Sequence, residues 1–100
     1  MMETDLGTIY KLNIHIEGLT PQTMDDVAFS CHFYTWKDGI TIPKEEMIRL
    51  DADNYVAVID SKLLGRGTIK VQTTVQVPDG DCAGGFRTEI YTEDTGIKIR

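Results

Sequence analysis

Apolar and polar positions alternate along much of this chain. The clearest run is Thr68–Val77, where Ile69, Val71, Val75 and Val77 fall on one side of an extended backbone. Thr68, Lys70, Gln72, Thr74 and Gln76 fall on the other. A period of two marks a strand with one buried face and one wet face. Pro78 ends the run, because proline has no N–H to give to a ladder. Gly7–Glu17 has the same grammar, with Tyr10, Leu12, Ile14 and Ile16 against Lys11, Asn13, His15 and Glu17.

Val27–Trp36 differs. Val27, Phe29, Cys31 and Phe33 form one apolar face, while Ala28, Ser30, His32, Tyr34 and Trp36 make the other amphipathic. A strand of this kind is expected in the middle of a sheet, or under a cover on its outer face. Lys37-Asp38-Gly39 is a hairpin turn, and Ile40–Ile42 returns as a short strand that Pro43 confines to an edge. Lys44–Leu50 reads as a single helical turn or as a short strand burying Ile48 and Leu50, with extended structure favoured over Met47–Leu50. Asp51-Ala52-Asp53-Asn54 is turn chemistry, and Tyr55–Ile59 is a strand apolar on both faces.

Asp60 or Ser61 is placed to cap one helical turn that Gly65 ends, with Leu63 and Leu64 plugging one end of the core. After the long strand, Asp79–Gly85 is a flexible loop. Phe86–Glu93 carries Phe86 and Ile90 on one face and Tyr91 on the other, Thr95-Gly96 turns, and Ile97–Ile99 pairs last. About seven strands recur roughly every 8–12 residues, which predicts an all-β antiparallel sandwich or small barrel. Residues 1–6 are expected to form a flexible N-terminal arm, and residues 7–100 a single domain.

Composition narrows the function more than the fold. With 41% hydrophobic and 26% charged residues the chain is that of a folded globular domain. The net charge of −6 sets up a field that repels phosphates and anionic headgroups, so neither nucleic acid nor a membrane surface is the expected partner. The start, Met1-Met2-Glu3-Thr4-Asp5, is acidic where a secretory signal is basic, so the chain is expected to be cytoplasmic as synthesised. Cys31 and Cys82 are read as two unrelated reduced thiols, since disulfides are uncommon in a reducing compartment.

Candidate chemistry is sparse. Asp51–Asn54 and Asp79-Gly80-Asp81 have the oxygens calcium wants, yet lack the loop that ends in a bidentate Glu, and both suit tight turns. His15, Cys31, His32 and Cys82 lack zinc-ligand spacing, although His15 and His32 would meet if their strands paired in register. No nucleophile elbow or phosphate-binding glycine loop is present, so no catalytic residue, metal or cofactor is expected. Tyr34 and Trp36, with His32 beside them, are the candidate surface: aromatics two residues apart on a strand stack on a sugar ring or anchor a protein partner. Asp51–Tyr55 partly matches the D-x-[AG]-x-Y corner of immunoglobulin strand F, but departs from it at Asp53 and at Ala57, and too many strands follow.

Gly7-Thr8-x-Tyr10 opens an alternating strand, and Val27–Trp36 leads into Lys37-Asp38-Gly39. Asn54-Tyr55-Val56-Ala57-Val58 follows, and Leu63-Leu64-Gly65-Arg66-Gly67 launches the long strand. In this order of features, residues 7–99 resemble the immunoglobulin-like N-terminal domains of phage baseplate and tail-fibre proteins. The resemblance implies an immunoglobulin-like β-sandwich and a non-enzymatic structural module of a phage or prophage, assembled into a virion through protein–protein contacts or self-association. The alternative expectation is a small carbohydrate-binding module using Tyr34 and Trp36.

Overall fold

The computed structural model describes residues 2–17, 19 and 22–100. Its eight strands are β1 (Met2–Thr4), β2 (Ile9–Ile14), β3 (Ala28–Tyr34), β4 (Gly39–Pro43), β5 (Ile48–Asp51), β6 (Asn54–Asp60), β7 (Gly67–Pro78) and β8 (Phe86–Ile99). They form a five-stranded sheet in the order β1-β8-β7-β3-β4 and a three-stranded sheet in the order β2-β6-β5. All pairings are antiparallel except that of β1 with β8. In immunoglobulin lettering the larger sheet is A′GFCC′ and the smaller BED, so the chain is an immunoglobulin-like β-sandwich.

The core lies where the alternating faces meet. Phe29, Cys31 and Phe33 of β3 and Ile69, Val71, Val75 and Val77 of β7 face inward from one sheet. Tyr10 of β2 and Tyr55, Ala57 and Ile59 of β6 face them from the other. The rings of Phe29 and Tyr55 meet edge to face across the sheets, with centroids 5.2 Å apart. Neither β2 nor β7 contains a cysteine, so packing joins the two sheets without the disulfide common in antibody domains. Both thiols are free, and burial pushes that of Cys31 up from its ordinary value.

Several elements depart from the sequence pattern. The segment expected to be a flexible arm contains β1, whose Met2–Thr4 backbone runs parallel to Ile97–Ile99. Lys44–Glu46 makes a 3-10 turn and Ile48–Asp51 the strand that follows, so the two readings of this segment each hold for half of it. Ile48 and Leu50 are exposed, and Met47 is the residue that enters the core. Asp60 caps the turn Ser61–Leu63 by accepting from the Lys62 N–H at 3.0 Å. Leu64 plugs the core there, while Leu63 remains exposed.

Thr95-Gly96 does not separate two strands. It is a bulge within β8, where Thr68 opposes Lys98 and Lys70 opposes Asp94. Gly96 takes a φ of +74°, and Thr95 Oγ1 donates to the Ile69 carbonyl at 2.7 Å, so the group opposite the bulge keeps a partner. At roughly 3.3 Å per residue, the 14 residues of β8 account for most of the molecule's 45 Å length. No helix among the described residues is long and apolar enough to cross a membrane.

Candidate binding surfaces

β3 ends at Tyr34, sooner than the alternation of Val27–Trp36 suggests. The ladder between β3 and β4 closes at Tyr34 and Gly39, and Thr35 is turned inward. Its hydroxyl donates to the Leu64 carbonyl at 2.5 Å and accepts from the N–H groups of Lys37 and Asp38. This pins the turn and throws Trp36 outward, 83% exposed. The indole lies against Gly67, where an added Cβ would fall 2.7 Å from its Cδ1.

Tyr34 and His32 are half-buried on the outer face of the larger sheet, ring on ring at 5.4 Å and 20°. His32 Nδ1 also meets Thr41 Oγ1 at 2.9 Å. Tyr34 and His32 thus stand together on the sheet, by Gly39, whereas Trp36 lies beyond the end of β3, in the turn, by Gly67. His15 sits beyond the end of β2 in the other half of the sandwich, with Nδ1 2.8 Å from the Asp53 carbonyl. The two histidines do not meet, and among the described residues no cluster of three His, Cys, Asp or Glu side chains is placed to hold a metal. Asp51 and Asp79 accept from the N–H groups two residues on, as turn residues do.

A second surface lies along β8. Its inner edge pairs with β7 from Phe86 to Asp94, and β1 covers its outer edge only at Ile97–Ile99. Among the described residues, no strand pairs with the outer edge over 86–94. Register assigns the side chains. Arg87, Glu89, Tyr91 and Glu93 oppose Val77, Val75, Thr73 and Val71 and share their inner face. Phe86, Thr88, Ile90, Thr92 and Asp94 take the outer face. Phe86 (54%), Ile90 (58%) and Tyr91 (43%) are all well exposed for large apolar side chains.

The charges along this edge are partly paired. Arg87 bridges Asp79 at 2.6 Å and Glu89 at 3.1 Å, and Tyr91 donates to Glu89 at 2.6 Å. The Tyr91 phenol and then Arg87 hold the Glu89 carboxyl below its usual range, and the same bond raises the phenol. Glu93 has no ion pair among the described residues.

Between β2 and β8 the sandwich is parted by a cleft of about 720 Å³. Leu12, Ile14, Phe33 and Val71 line its apolar interior, and Glu17, Glu93 and Asp94 supply an acidic border. A third exposed apolar group, Ile48, Leu50 and Val58, lies on the smaller sheet.

The most strongly shifted carboxylate lies elsewhere. Arg49 donates to Asp25 at 2.7 and 2.9 Å, and Tyr55 donates to it as well. Arg49 first, then Tyr55, brings the Asp25 carboxyl down to about 2. Lys44 Nζ donates to the carbonyls of Met24, Asp25 and Val27 and sits 5.5 and 5.7 Å from the ring centres of Phe29 and Tyr55. These bonds tie the 3-10 turn Met24–Asp26 to β5 and β6 and close that end of the sandwich.

Comparison with known proteins finds no matching family model, curated protein or solved structure. The molecule's class therefore rests on its own architecture: an immunoglobulin-like β-sandwich with a long open strand edge.

Proposed function

We propose that this protein is a non-enzymatic structural module that works by protein–protein assembly. The observation that carries the reading is the outer edge of β8 over Phe86–Asp94, long, unpaired among the described residues and bearing exposed Phe86, Ile90 and Tyr91. Such an edge offers backbone donors and acceptors to another chain, and proteins that work alone usually shorten, cover or break it. The contrast lies within the molecule: β5 is short and irregular, and β4 ends at Pro43. The resemblance to immunoglobulin-like domains of phage baseplate and tail-fibre proteins supports a virion component as the setting.

Light scattering coupled to size exclusion, over a range of concentrations, tests the reading. An assembly larger than the 11.2 kDa chain that persists on dilution is the expected result. A monomer at every concentration would remove self-assembly.

Trp36 favours a second reading, carbohydrate binding, because an indole this exposed is free to stack on a sugar ring. It is the chain's one tryptophan, so its fluorescence reports that site alone. Glycan-dependent quenching, abolished in Tyr34→Ala, is what this reading expects; an unchanged spectrum across a glycan panel would sink it.

A further inference from the structure

We infer that the partner of the open β8 edge is β8 of a second copy, paired antiparallel about a two-fold axis at Ile90. The inference rests on the assembly reading and deepens it by naming the partner and the register.

The free edge is bounded at both ends. Beyond Asp94 lie the bulge and β1, and before Phe86 lies the Asp79–Gly85 loop. The midpoint of the window 86–94 is Ile90. When one strand edge pairs with its own copy, each residue faces one whose side chain lies on the same side of the sheet. Centring on Ile90 sets Ile90 against Ile90, Thr88 against Thr92, Glu89 against Tyr91 and Arg87 against Glu93. The last two contacts occur twice, by symmetry. Glu93, which has no ion pair among the described residues, thus gains a cation at each end of the interface.

The neighbouring registers lose this match. Centring on Glu89 stacks that carboxylate on itself. Centring on Tyr91 puts Glu89 against Glu93. Like charges directly opposite one another destabilise a ladder, whereas opposite charges and apolar pairs stabilise it. Inward-facing charges also deter a stray strand from adding to an edge. Here the charges that repel a stranger are matched by a second copy in one register, which is how an isologous contact achieves specificity. The result is two larger sheets joined into one continuous sheet.

Sedimentation velocity at about 0.15 M salt, where the Debye length of roughly 8 Å screens the net charge of −6, tests the register. The samples are the wild type, Glu93→Arg, Arg87→Glu, an equal mixture of the two variants, and the double variant. Circular dichroism checks that each is folded. Each single variant is expected to weaken self-association at least about tenfold. The mixture restores it, because residue 87 of each chain then faces an opposite charge at residue 93 of the other. The double variant restores it alone, and it carries the test if Arg87→Glu, which loses its bonds to Asp79 and Glu89, does not fold.

If the single variants associate as the wild type does, the register is overturned and the assembly reading stands. Variants that weaken without rescue in the mixture or the double variant overturn it equally. A monomeric wild type overturns the self-pairing, and the assembly reading then requires a different chain on this edge.

Discussion

At the scale of single residues, Asp25 shows how a surface carboxylate comes to matter for folding. Its carboxyl ionises at about 2, against an ordinary 3.8, because Arg49 and Tyr55 both bond to the charged form. A carboxyl depressed in the folded state adds stability that is complete above its unfolded value and drains away as pH falls toward the folded one. Between pH 4 and pH 2 the wild type is therefore expected to lose thermal stability faster than Asp25→Asn, with the two converging near pH 2. Melting curves taken across that range check this, and a constant offset would show that the charge contributes nothing. None of it was legible in the chain. Asp25 lies 24 residues from Arg49 and 30 from Tyr55, and meets them only through the turn and the β5–β6 pairing. At Asp51–Asn54, by contrast, the partners are two or three residues apart, so local spacing announced the turn.

At the scale of elements, alternation named the faces well, and two glycines explain where it stopped. Gly96 has a φ of +74° in open space, and Gly67 a φ of +131° with Trp36 against it. Gly96→Ala is expected to cost about 1 kcal/mol, the backbone penalty alone, and to leave Trp36 fluorescence unchanged. Gly67→Ala is expected to cost about 1–3 kcal/mol and to shift the emission, since the new methyl group displaces the indole. Urea denaturation followed by both circular dichroism and fluorescence separates the two. The Thr95-Gly96 pair looked like a turn because glycine marks turns and bulges alike; the Ile69 carbonyl across the ladder decides between them. Ile48 and Leu50 look like core residues by type, yet β5 is an edge of the smaller sheet and Met47 alone turns inward from that segment.

At the scale of the whole molecule, the outcome depends on which strands are neighbours. Alternation does not encode neighbours, because a period of two fixes which face of a strand is buried and leaves its pairing partners open. The sandwich, its inward faces at Ile69–Val77 and the helical turn after Asp60 were determined by the sequence itself, through short-range rules of side-chain period, proline and glycine geometry and capping. Tertiary structure alone decided that β1 joins β8 in parallel, that no strand among the described residues covers the outer edge of β8 over Phe86–Asp94, and that Trp36 stands exposed in the turn beyond β3. Arg87 and Glu93 were always visible as charges on one strand; they became a self-complementary pattern only once that edge was known to be open. Hydrogen bonds between strands and the closure of distant loops depend on the folded topology, which no local pattern specifies.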